Sequence, residues 1–374
     1  MTMKKGTASG TKGKPKLRLV DEFNEKAEKP VSAGRLLPPD ARRVHLKGKR
    51  FVITSAQNNT DVHPGFLKAL ETFCEKNDAK LMVTRFTYNK TAFSQEGQEE
   101  GQLWYDPAIA KYTFSESAEI TKKLILCGEL DVSPSAVDPL SGFDNYCQGA
   151  SGIIGHPKFA MKSLPGLGDD MARFMYTTGT CTQRNYIQKK AGQKAEFHHN
   201  YGALLVEVDD NGTFFVRQLA ADNSGAFHDL TDKYLPTGEV LKGQRIEALT
   251  LGDVHIEKVD PLMEKVAFDP GGILDTLNPK YMFLHDLVDF TARNHHNIKN
   301  PFFWAHQRQL GGTVEGGIDL AGAWLKAHER ADRKDIIVES NHDEAYERWM
   351  GEADPRLDPD NVRFWHESCA EKQG

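Results

Sequence analysis

The chain has 374 residues, 39% of them hydrophobic, and a net charge of −6, enough length for two domains with a core in each. No run approaches the ~18 apolar residues of a membrane span, and the N-terminal MTMKKGTASGTKGKPK lacks the apolar stretch of a secretory signal. Five scattered cysteines without a Cys-x-x-Cys exclude a zinc ribbon and a disulfide framework and fit a reducing cytoplasm.

The charge is unevenly spread. Residues 1–50 carry 14 Lys and Arg against 5 Asp and Glu, and the rest carry 33 against 48. A basic segment joined to an acidic body suits contact with a polyanion. Residues 1–45 are rich in Lys, Gly, Pro and Ser without periodicity and predict a disordered basic arm. Order is predicted from Arg50-Phe51-Val52-Ile53-Thr54, a short strand, followed by helical spacing over residues 66–74 and a second strand at 80–84. That is a β-α-β signature implying a small parallel sheet. Leu124 to Cys127 reads as a strand. Ala203 to Val208 and Thr213 to Arg217 read as a hairpin around Asp209-Asp210-Asn211-Gly212, because Asn-Gly tolerates positive φ. Cys181 reads as a small buried thiol rather than a nucleophile, and His198-His199 as a polar surface pair. A linker containing Pro and Gly, residues 234–243, sets a domain boundary near 242. The N-terminal α/β domain then covers 46–242 and a C-terminal domain 243–374.

In the C-terminal part, three apolar runs end in cation-binding groups. Residues 245–251 lead into Gly252-Asp253-Val254-His255, and a helix is predicted over 261–277. Residues 281–284 lead into His285-Asp286-Leu287-Val288-Asp289. A helix predicted over 317–330 leads into a strand at 335–338 and then Ser340-Asn341-His342-Asp343-Glu344. In parallel sheets the carboxyl ends of the strands form the ligand crevice, so the three segments can converge. A carboxylate can bridge two divalent ions, an Asn carbonyl adds an oxygen ligand without charge, and imidazole suits Mn, Fe or Zn better than Mg. Two ions ~3.5–4 Å apart clamp the attacking and departing oxygens of a displacement at phosphorus. The segment 289–335 also holds Asn294-His295-His296-Asn297 and His306, but no ββα-metal pattern of an HNH nuclease flanks them.

Asp-x-His, Asp-x-x-Asp and Asn-His-Asp/Glu, in that order after strands, resemble the calcineurin-like metallophosphoesterases. That family's blocks read Gly-Asp-x-His, Gly-Asp-x-x-Asp and Gly-Asn-His-Asp/Glu. The resemblance covers residues 245–350 and implies a β-sandwich flanked by helices and two divalent metal ions, Mn foremost, Fe or Zn otherwise. It implies metal ligation by Asp253 and His255, bridging by Asp286 and ligation of the second ion by Asn341. His342 would be the proton donor, Asp343 would orient it, and Asp289 would stand behind the ligands. His285 and Ser340 replace the family's glycines. Two later histidine blocks are missing, and His366 alone follows residue 344, so the expectation is a truncated reading frame, a second chain or homo-oligomer that supplies the remaining ligands, or a degenerate site. The stretch ITSAQNNTDVHPGFLKALETFCEKNDAKLMV is also similar to phage-encoded proteins of the T5-type DNA-transfer group.

These features together give an α/β protein with a metallophosphoesterase-like C-terminal domain. The function expected is metal-dependent phosphodiester hydrolysis on DNA, in an infected bacterial cytoplasm. The alternative is a degenerate phosphoesterase fold that binds nucleic acid or acts as a scaffold without turnover.

Overall fold

Residues 18–19, 31–32, 43–88, 103–166, 172–294, 296–297 and 300–373 are described by a computed structural model of the chain, which divides into two units, Met1–Lys242 and Gly243–Gly374. The basic arm predicted over 1–45 lies mostly outside the described residues. Its described pieces are short strands, Arg18–Leu19 parallel to Val44–His45 and Val31–Ser32 parallel to Leu130–Asp131.

In the first unit the strand Arg50–Gln57 alternates between two cores. Val52 and Ala56 face one, Phe51 and Ile53 the other, as the two-residue period of a strand requires. The helix Pro64–Asn77 starts where His63 Nδ1 accepts from the Phe66 amide at 3.1 Å, with Pro64 in the first turn. It buries Phe66, Leu70 and Phe73 against Val52, Val83 and Leu205. The chain returns in Lys80–Phe86, parallel to Arg50–Gln57. Gly202–Val208 and Phe214–Ala220 complete a four-stranded sheet as the antiparallel hairpin expected, with Gly212 at φ 77° in its turn.

The expected small parallel sheet is only part of this unit. A second sheet of seven short strands, including Ser117–Thr121, Leu124–Cys127 and Ser151–Ile154, packs Ile120, Leu124, Leu126 and Ile153 against Phe51, Ile53, Leu204 and Val206. Leu140, Phe143 and Tyr146 cover its far face. Cys181 is fully buried, and burial pushes its thiol up to about 12, so it is inert as read. His199 departs from the surface reading: it is 3% exposed, and its Nδ1 shares a hydrogen bond with the Tyr186 hydroxyl at 2.8 Å.

The second unit is built on one three-stranded parallel sheet, in the order Ala248–Leu251, Tyr281–His285, Lys334–Val338. Met282 and Leu284, with Leu249 and Leu251, meet Ala321 and Trp324 of the helix Val314–His328 on one face. A second sheet, and hence the β-sandwich implied by the resemblance, is not formed within this unit among the described residues. The helix expected over 261–277 is two helices. Pro261–Phe268, capped by Asp260, stops at Asp269, and Ile273–Leu277 restarts beyond Pro270-Gly271-Gly272, where Gly271 has φ 81°. No helix among the described residues is long and apolar enough to cross a membrane.

Candidate metal centre

All three strands of the second unit run the same way, so their carboxyl ends deliver residues 252–255, 286–289 and 339–342 to one edge. Backbone bonds continue past the strands and tie the first two loops together. The amides of Val254, His255 and Ile256 donate to the carbonyls of His285 (3.2 Å), Asp286 (2.8 Å) and Leu287 (3.0 Å). This fixes His255 beside the second loop.

The result is a cluster in which ligand atoms of His255, Asp289 and His342 all lie within 4.8 Å of one another. His255 Nδ1 is 3.3 Å from Asp289 Oδ1 but is not aligned to hydrogen-bond with it. The His255 and His342 rings meet edge to face with centroids 4.7 Å apart. The Asp289 carbonyl oxygen accepts from His342 Nδ1 at 3.0 Å. Because a carbonyl can only accept, that contact places a proton on Nδ1 and leaves Nε2 for other chemistry.

Asp289 is 4% exposed and is held from several sides. Lys258 Nζ lies 2.6 Å from its Oδ2, and Thr291 Oγ1 donates to the same oxygen. Its amide donates to Glu257 Oε2 at 2.7 Å, and the Phe290 amide donates to Glu257 Oε1 at 3.1 Å. Burial pushes the Asp289 carboxyl up, but the Lys258 and Thr291 hydrogen bonds and the Lys258 and His255 charges hold it below the usual carboxylate range.

The other expected residues are distributed around this cluster. Asp253 is exposed at its rim, with Oδ1 3.9 Å from His255 Nε2. Asp286 has a buried Oδ1 with no hydrogen-bond partner among the described residues. Asn341 is exposed in the third loop, next to His342. Two roles differ from expectation. Asp289, expected behind the ligands, stands inside the cluster. Asp343, expected to orient His342, accepts instead from the Ser340 amide (2.9 Å) and hydroxyl (3.0 Å), which closes the turn; the ring is held by the Asp289 carbonyl. His366 is exposed on the terminal helix Val362–Gln373, against Trp365, and takes no part in the cluster. Of the HNH-like residues, His295 lies outside the described residues, and none of the others joins the cluster.

Glu257 and Lys258 were missed by sequence reasoning. Their only local signal is that they follow Asp-x-His one residue later, beyond Ile256. The backbone carries a further mark. Of nine described non-glycine residues with left-handed backbone, Asp253, His255, Asp286 and Phe290 fall in the first two loops. Each such residue costs on the order of 1 kcal/mol or more, and such strain concentrates at functional sites.

A divalent cation fits this donor set. A buried carboxylate oxygen without a partner costs about 1–3 kcal/mol or more, and Asp286 Oδ1 is such an atom. Two imidazoles with carboxylates suit Mn, Fe or Zn.

Among known proteins, the chain is 40% identical over 365 residues to Protein A1 of Escherichia phage T5, an alignment covering 94% of this chain and 65% of that protein. The chain therefore spans less than two thirds of the length of the curated relative it matches, and that relative supports a phage origin. No family model matches the chain. No solved structure matches it.

Proposed function

We propose that the Gly243–Gly374 unit is a metal-dependent phosphoester hydrolase acting on DNA. The observation that carries this reading is the meeting of His255, Asp289 and His342 at one sheet edge; the Asp286 carbonyl accepts from the His255 amide, and its buried Oδ1 has no hydrogen-bond partner among the described residues. His255, Asp286 and Asp289 would hold the first divalent ion, with Asp253 at the rim. Asn341 is the candidate ligand for a second ion. When bound, the ions supply Lewis-acid polarisation of a phosphoryl oxygen.

The remaining work falls to the chain. Asp289 fixes the His342 ring through its carbonyl, so the ring reaches the substrate edge with Nε2. In the imidazolium form Nε2 hands a proton to the departing oxygen. Lys258 balances the Asp289 charge and adds a cation near the substrate phosphate. The excess of Lys and Arg in residues 1–50 supports a polyanionic substrate.

The test is hydrolysis of bis-p-nitrophenyl phosphate and of DNA with Mn²⁺. Activity that is lost in Asp286→Ala supports the reading, whereas activity that survives in that variant refutes it. A second reading, a nucleic-acid-binding fold without turnover, draws on the cluster's holding only His255, Asp289 and His342 among the described His, Cys, Asp and Glu residues. It predicts DNA binding with no bound metal and no hydrolysis.

A further inference from the structure

We propose that the cavity on the far side of Asp289 is a nucleobase pocket, receiving the base of a nucleotide whose phosphate lies at the metal cluster; the assignment rests on the phosphoesterase reading for its substrate. The cavity measures about 400 Å³, within the ~300–1,000 Å³ typical of small-molecule sites. It shares three residues with the cluster's support, because Glu257, Lys258 and Thr291 line it and all three contact Asp289. A ligand in the cavity is therefore one side chain away from the proposed reaction centre.

The lining chemistry decides the ligand class. Part of the wall is apolar, with Val288, Phe290, Ala292, Leu310 and Leu320; the charged groups of the lining, Glu257 and Lys258, are engaged by the Asp289 and Phe290 amides and by the Asp289 carboxylate. Into the cavity reaches Gln307, 8% exposed, whose side-chain amide carries a donor and an acceptor. Gly312 leaves room for that amide, since a Cβ there would lie 2.8 Å from Gln307 Oε1.

The adjacent helix Val314–His328 does not offer a phosphate site. Its Val314 amide donates to Asn361 Oδ1, Gly316 to Thr313 Oγ1 and Gly317 to the Thr313 carbonyl, so the first turn is largely satisfied. With Glu257 and Lys258 already engaged around Asp289, a partly apolar wall, one side-chain amide and a capped helix end suit a flat, hydrogen-bonding heterocycle better than a phosphate. Enzymes that extrude bases receive them between apolar or aromatic walls and read their edges with polar side chains. The amide offers a donor and an acceptor to one base edge.

The experiment is calorimetric titration of the full chain, in EDTA, with each of the four deoxynucleoside 5′-monophosphates and with deoxyribose 5-phosphate. At least one mononucleotide binds and the sugar phosphate does not. Gln307→Ala weakens that binding about tenfold, the scale of a lost hydrogen bond. Leu320→Trp, at a half-exposed wall position, abolishes it. Absence of any mononucleotide binding, equal binding of the sugar phosphate, or wild-type affinity in folded Gln307→Ala and Leu320→Trp overturns the assignment. Intact, variant-sensitive binding in a protein that hydrolyses nothing supports the pocket and counts against the phosphoesterase reading alone.

Discussion

The two units use histidine in opposite ways. In Met1–Lys242, His156 is fully buried with both ring nitrogens engaged: Nε2 donates to the Ser133 carbonyl at 3.0 Å and Nδ1 accepts from the Lys158 amide at 3.1 Å. Burial lowers it to about 4, and it lowers His199 to about 3. These rings are neutral parts of a sealed core. In Gly243–Gly374, His255 and His342 are half-buried around a carboxylate, and His255 Nδ1 is left without a hydrogen bond. The strands differ in the same sense. Arg50–Gln57 is buried from Phe51 onward, whereas Lys334–Val338 has no buried residue. Buried side-chain atoms without a hydrogen bond occur in both units, His199 Nε2 and Gln57 Oε1 in the first, His255 Nδ1 and Asp286 Oδ1 in the second. What sets the second apart is that His255 belongs to a cluster of ligand groups at one sheet edge, the arrangement expected where a ligand supplies the remainder.

The largest effect that could break this contrast lies behind the candidate site. Arg293 and Asp358 form a pair whose side chains are 3% and 5% exposed. Asp358→Ala leaves a buried guanidinium unpaired and should destabilise the second unit by about 3–5 kcal/mol, read by denaturant unfolding. A loss under about 1 kcal/mol would mean that this unit is looser than described.

Acid should act mainly on the first unit. The folded pKa of His156, about 4, lies below the ordinary value near 6.5, so between those values the unfolded chain binds a proton that the folded chain does not. Stability from this group is complete above about pH 6.5 and falls toward pH 4, by on the order of 3 kcal/mol. His199 adds in the same direction. Unfolding curves at pH 7, 6, 5 and 4 check the sign; a first unit that gains stability on acidification would contradict it.

A smaller effect separates structural from reactive thiols. Cys181 is fully buried while Cys369 is partly exposed. In the native protein an aromatic disulfide reagent should modify Cys369 quickly and Cys181 only on unfolding. Rapid native-state labelling of Cys181 would open the first core to question.

Much of this was written in local sequence. The hairpin around Asn211-Gly212, the first β-α-β unit and the three strand ends carrying Asp253, Asp286 and Asn341 are readable because period, turn chemistry and polar termination are short-range signals. What escaped depends on distant partners. Glu257 and Lys258 act through Asp289, more than 30 residues away, and His199 is buried through Tyr186 on another segment. The seven-stranded sheet was invisible because most of its strands are two to five residues long, too short for a period to declare itself. Asp343 was misassigned because its position implies a neighbour of His342, whereas its carboxylate turns back to Ser340.

The central claim is that the open edge of the second unit binds a divalent cation through Asp286 and its neighbours. It is tested most directly by thermal unfolding of metal-stripped protein titrated with Mn²⁺, alongside Asp286→Ala. The wild type should gain about 2.7 kcal/mol at a hundredfold excess over its dissociation constant, and Asp286→Ala should gain little. A metal-insensitive wild type, or equal gains in both proteins, would contradict the account.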